Sequence, residues 1–296
     1  MPFSKRARTH AEQLSIMKAR GLAVADEPFA LHCLKHYNYY RLSIYARPFL
    51  VTIDPPVFKP GTRFEDVWEL YCFDRALRQL VHEATKRFEI SARSRWAYEM
   101  GHACGAFSYE DPANFTDAVR HAECLQKLDE QVKQSHEQFI AHFRSTYGLN
   151  RPPIWAACEL MSFGVLSRMF AMKDLRIKKR IAQTYSLPEP ILESLLHHLT
   201  YVRNLCAHHL RIWNRQFTIT LSPPVSFPVD VAQSVTRKSP DNRRVYNTLV
   251  LLTHISKVIE GNFDWRARLL ALITPHPIWC RHMGFPAGWQ QLPVWK

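Results

Sequence analysis

PEPILESLLHHLTYVRNLCAHHLRIWNRQF, residues Pro188 to Phe217, decides how the rest of the chain is read. Proline belongs at or before the first turn of a helix, and after Pro190 none recurs until Pro223. The spacing therefore predicts one long helix through the stretch. At about 100° per residue, Leu195, Leu199, Val202, Cys206, Leu210 and Trp213 share one side of that helix. His197, Tyr201, Asn204, His208, Arg211 and Arg215 share the other, within about 80° of one another. Histidine, tyrosine, asparagine and arginine without a carboxylate make an unusual solvated face. It reads as a surface built to meet an anion.

Composition frames that face. With 296 residues, 47% of them hydrophobic and 12% aromatic, the chain can bury a sizeable core. Only nine glycines favour long helices over a turn-rich β fold. The excess of 39 Lys and Arg over 26 Asp and Glu, a net charge of +13, favours a polyanionic partner, nucleic acid before membrane. Seven cysteines are scattered without a close pair, which suits a reducing cytosol with thiols as small core groups. No apolar run follows MPFSKRARTH, so no signal peptide is expected. No segment approaches the ~20 apolar residues that cross a bilayer, and the expected location is cytoplasmic, with no membrane partner.

Along the chain, Thr9 and Glu12 have the spacing of a capping box and predict a helix to Gly21. Asp26 and Pro28 open a second helix. His36 to Phe49 is dense in Tyr and Arg, a combination able to stack on unpaired bases or to pack an extension onto the core. Residues 50–62, with Pro55, Pro56, Pro60 and Gly61, predict a linker. Thr62 and Glu65 predict a second capping box, then a helix from Arg63 to about Met100 with Val67, Leu70, Leu77, Val81, Ala84, Phe88 and Trp96 as its core stripe, in which Glu89 and Arg93 pair four residues apart. Further helices are expected over Ala113–Tyr147, closed by Gly148, and over PIWAACELMSFGVLSRMF after Pro152, a single buried element whose Glu159 needs a partner if it does not face outward, so that Glu159 or Glu89 is the acid to orient Arg203. Lys173 to Arg180 is a basic run for phosphates or for solvent. Phe217–Leu221 reads as a short strand, Asp241–Gly261 and Phe263–Ile273 as helices, and the tail as aromatic and irregular.

Within the central stretch, Arg203-Asn204-Leu205-Cys206-Ala207-His208 sets a histidine five residues after an arginine, with a polar Asn next to the arginine. This pattern resembles the signature of HEPN-domain ribonucleases. The longer run RNLCAHHLRIWNR, residues 203–215, resembles bacterial abortive-infection proteins of the AbiD/AbiF type. Similar blocks are Asn38–Ser43 with Tyr45, FEDVWELYCFDRALRQLV, KRFEISARSRWAYEM and the ending Met283–Trp289. The expected fold is all-α: an N-terminal helical extension (1–60), a HEPN-like helical bundle (61–262), and a C-terminal helix with aromatic tail (263–296).

RNA carries its own nucleophile, the 2′-hydroxyl. Cleavage needs a group to take that proton, one to protonate the leaving oxygen, and positive charge for the phosphorane. Imidazole can exchange protons near neutral pH, and guanidinium offers a fixed fork of donors. The expected catalytic residues are therefore His208 as base or acid, Arg203 as charge stabiliser and Asn204 as an orienting group. Tyr201, Arg211 and Arg215 are the expected RNA contacts. Neither a metal nor another cofactor is required, and 2′,3′-cyclic phosphate ends are expected. Five residues on a regular helix diverge by about 140°, so Arg203 and His208 of one copy do not easily meet on one phosphate. A homodimer with a composite site solves this, and the resemblance implies one. It also implies abortive infection, with an antitoxin, protein or small RNA, as a restraining partner. Other readings are a zinc site from His197, His198, His208 and His209, a Cys206 nucleophile, and a non-catalytic RNA- or partner-binding helical protein.

Overall fold

The computed structural model describes residues 6–260 and 264–296, and the chain divides into two compact units, 1–76 and 77–296. Fourteen α-helices and one two-stranded sheet are present among the described residues, so the fold is all-α as expected. Gly261, expected to cap one helix, and Phe263, expected to open the next, lie outside the described residues.

The first unit holds α1 (His10–Ala19), α2 (Glu27–Tyr37), α3 (Tyr39–Ala46), a hairpin of β1 (Leu50–Ile53) and β2 (Pro56–Phe58), and the first turns of α4 (Phe64–Cys104). Thr9 and Glu12 form the expected capping box, and the Asp26 side chain accepts the Phe29 N–H to start α2. The Thr62 box does not form. Thr62 instead donates its hydroxyl to the Lys59 carbonyl (2.8 Å), and Asp66 accepts the Arg63 N–H (2.8 Å). Residues 50–58 pair antiparallel, Leu50 against Phe58, where a linker was expected; the prolines occupy the turn and the start of β2. The tyrosines divide: Tyr45 is buried, donates to Asp74 (2.6 Å) and meets Tyr71 edge-on, and Tyr71 in turn touches Tyr37 and Trp68, whereas Tyr40 faces solvent.

The second unit is built around the long α4, whose Leu77, Val81, Ala84, Phe88, Trp96 and Met100 are buried at helical spacing. Two expected helices are broken. Ala113–Tyr147 becomes a 3-10 turn at Pro112–Asn114, then α5 (Ala118–Gln134) and α6 (Gln138–Tyr147), with extended backbone at Ser135 and Glu137 between the last two. The apolar run after Pro152 becomes α7 (Ile154–Leu160) and α8 (Phe163–Ala171), because Met161 and Ser162 are extended and the Ser162 hydroxyl caps Val165. α9 (Leu175–Thr184) follows, and Lys173 before it is buried, donating to the Asn114 carbonyl (2.7 Å).

α10 (Glu189–Ala207) packs on α8 and α9, and its Leu192, Leu195, Leu196, Leu199, Val202 and Leu205 are buried. The expected strand at Phe217–Leu221 is irregular chain. After α11 (Val229–Ser234), α12 (Val245–Glu260) is buried on all sides from Val245 to Ser256, the place of a central helix. α13 (Trp265–Ile273) hangs on α4 by a Trp265 indole N–H bond to the Leu80 carbonyl (2.7 Å). α14 (Pro277–His282) leads to the tail, where Phe285, Trp289 and Trp295 cluster about Tyr246. Gly284 makes that turn possible: its φ is 86°, and a Cβ there would lie 2.7 Å from the Asp241 carbonyl oxygen.

Candidate functional site

The end of α10 brings the motif residues to the surface. Helical bonding carries on through the His208 N–H, which reaches the Asn204 carbonyl at 3.0 Å. His209 then turns left-handed (φ 56°), and the amides of His209 and Leu210 fold back onto Cys206 O (3.1 Å) and Leu205 O (2.8 Å). Those two bonds close a helix through a left-handed residue, a place where glycine is usual. The helix thus stops ten residues short of Phe217, which corrects the single long helix expected from proline spacing. Leu210, expected on the buried side, is 44% exposed, while Trp213 is buried and bonds the Trp279 carbonyl (3.2 Å).

Arg203 leaves α10 toward α4. Its Nε lies 3.7 Å from Glu89 Oε2, an ion pair too long for a hydrogen bond, and its side chain is 40% exposed against 7% for Glu89. Arg93 bonds the other carboxylate oxygen of Glu89. One buried carboxylate thus neutralises two guanidinium groups in part, and positive charge remains at the surface. Asn204, exposed, accepts from Arg203 Nη1 at 3.4 Å, and His208 is exposed at the helix end. Of the two carboxylates considered for Arg203, Glu89 is the one that meets it. Glu159 is exposed on α7 beside Cys158, lining a cavity of about 480 Å³ with Tyr98, His102 and Trp155.

A further imidazole enters here. His82 stands on α4 seven residues before Glu89, on the same helical face, and is half-buried. Burial lowers its pKa, and the nearby charges of Lys86 and Arg203 lower it further. The sequence reading missed His82 because its link to the motif runs across the packing of α4 on α10. Its two-turn spacing from Glu89 was the available signal.

The other expected RNA contacts lie differently. Tyr201 packs edge-on against Phe217 (5.8 Å), with its hydroxyl oxygen shielded from solvent and no well-formed hydrogen bond. Burial opposes its ionisation, yet the neighbouring Thr218 hydroxyl and Arg215 guanidinium prevail, and its pKa falls below the ordinary tyrosine value. Arg211 and Arg215 sit beyond the helix end on irregular chain, joined by an Arg215 bond to the Arg211 carbonyl (3.5 Å). They do not continue the α10 stripe.

His197 is exposed and lines a cavity of about 680 Å³ with Arg120, Arg168 and Glu193. His198 is buried. One ring nitrogen donates to the Ile219 carbonyl (2.7 Å), so the other, in the neutral ring, accepts from the Thr248 hydroxyl (2.8 Å). Burial pushes its pKa down to about 4. Among the described residues, no group of three or more His, Cys, Asp or Glu stands together as a metal-holding cluster.

A family model described as Abi-like protein matches residues 32–214, more than half of the chain. The chain belongs to this family. The matched stretch reaches from α2 to just beyond His209, and so contains α3, the Glu89–Arg93 pair and all of α10. Membership in the Abi-like family supports a part in abortive infection. No curated protein and no solved structure matches the chain. No helix among the described residues is long and apolar enough to cross a membrane.

Proposed function

We propose that this Abi-like protein is an endoribonuclease toxin of an abortive-infection response, cutting RNA by 2′-hydroxyl attack without need of a metal. The observation that carries this reading is the α10 end: a guanidinium anchored by a buried carboxylate, beside an exposed amide and an exposed imidazole. Arg203 supplies charge to the phosphorane, Asn204 orients it, and His208 moves the proton. Arg211 and Arg215 grip flanking phosphates from the segment after the helix. The resemblance to HEPN ribonucleases supports the same roles.

Helical bonding through His208 keeps the divergence from Arg203 near 140°. Two copies related by a two-fold axis therefore share each site, Arg203 from one and His208 from the other. An antitoxin, protein or small RNA, restrains the activity in uninfected cells. Sequencing RNA ends after induced expression tests this reading. Wild type should produce new 2′,3′-cyclic phosphate ends and growth arrest, and both should vanish with Arg203→Ala and with His208→Ala. Growth arrest without new ends would remove the nuclease and leave a binding protein.

A further inference from the structure

The N-terminal unit holds a groove that the α10 site does not use. Its volume is about 450 Å³, within the range of small-ligand sites. Twelve residues of α1, α3 and the hairpin line it, Arg20, Tyr39, Tyr40, Arg47 and Ile53 among them, and none is a carboxylate. It lies wholly within residues 17–58.

Local chemistry shapes the groove. Asn38 sits between α2 and α3 with φ 62°, a costly conformation for a residue with a Cβ, and its side chain accepts the Tyr40 N–H at 2.8 Å. That turn sends Tyr39 and Tyr40 in succession into the groove lining. The Tyr39 hydroxyl accepts from Arg20 Nη1 at 2.9 Å, which holds the guanidinium at the wall. Tyr40 is 77% exposed, an aromatic ring left open where Tyr45, one helical turn on, is buried. Arg47 is exposed at the end of α3.

We propose that this groove binds unpaired bases of RNA, with Tyr40 as the stacking platform and Arg20 and Arg47 facing the phosphates. The reason is charge complementarity. An aromatic face gives every base a stacking partner, and a cationic wall free of carboxylates suits the backbone that follows it. A protein segment would gain from the apolar floor but would bring no countercharge of necessity. The matched family region includes α3 and the hairpin. The groove would hold a single-stranded segment whether or not the α10 end cleaves it.

The test uses the wild-type full chain and a labelled single-stranded 2′-O-methyl oligoribonucleotide, which lacks the attacking hydroxyl, followed by fluorescence anisotropy. Tyr40→Ala should weaken single-strand binding about tenfold or more, and Tyr40→Trp should preserve it. Binding of the same sequence as a duplex should be unchanged by either. Arg47→Ala should lower the slope of log affinity against log salt by about 0.7. Both side chains are exposed, and circular dichroism checks that each variant folds. Unchanged single-strand affinity in Tyr40→Ala and Arg47→Ala would overturn the proposal. So would a loss of self-association in Tyr40→Ala, seen by sedimentation, which assigns the groove to a second copy of the chain. Failure here leaves the α10 site intact, because the probe cannot be cut.

Discussion

His198 and His208 stand on the same helix ten residues apart, and they have opposite fates. In the middle of α10 the imidazole is sealed among apolar side chains, with both nitrogens committed to the Ile219 carbonyl and the Thr248 hydroxyl. At the end the imidazole is exposed, five residues from an arginine that shares the Glu89 carboxylate with Arg93. The first histidine ties α10 to α12 and to the chain after Phe217. The second lies open to solvent at the helix end. Residue type therefore says little until burial and partners are known.

The largest expected effect belongs to the exposed end of α10 alone. Arg203→Ala or His208→Ala should lower RNA cleavage about a thousandfold while leaving the thermal midpoint within a degree or two. Mixing the two inactive variants should restore part of the activity, measured on labelled RNA, because one site of the mixed dimer is then complete. No restoration would place both groups in a single copy. Next comes Glu89→Ala, which leaves Arg93 and Arg203 without their buried countercharge; urea denaturation should show a loss of about 3 kcal/mol. Cleavage should fall as well, since Arg203 loses its anchor.

The buried end should respond in stability only. His198→Ala leaves the Ile219 carbonyl and Thr248 hydroxyl unpartnered and should cost about 2 kcal/mol by denaturation, with RNA affinity unchanged. The same residue adds a pH signature. Folded His198 stays neutral down to about pH 4, whereas the unfolded imidazole takes up a proton near its ordinary 6.5. The unfolded chain binds more protons across that window, so stability should fall as pH drops through it. Denaturation midpoints measured between those limits should show this slope, and His198→Asn should flatten it. The smallest effect belongs to the chain after the helix: Arg215→Ala should reduce the salt slope of RNA binding by about 0.7 and weaken binding evenly across sequences.

Much of the helical order was legible from local chemistry. The Thr9–Glu12 box, the Asp26 cap, the Gly148 stop and the core stripe of α4 all act within a few residues of themselves. The end of α10 was hidden because a histidine, not a glycine, takes the left-handed position there. Ser162 stops α7 inside a run that reads as continuously apolar, and the chain breaks between α5 and α6 at Ser135 to Glu137 among charged residues that signal nothing. The hairpin was read as a linker because prolines mask the pairing of Leu50 with Phe58. At the site, the motif itself could be read in line. The choice of Glu89 over Glu159 for Arg203, and the presence of His82, depend on α4 lying beside α10, which no local pattern encodes.

Purified wild-type chain incubated with RNA in excess EDTA gives the most direct test of chemistry at the end of α10. The expected result is new 2′,3′-cyclic phosphate ends, absent with His208→Ala although that variant still binds RNA. RNA left intact by wild type, or cut equally well by His208→Ala, would contradict it.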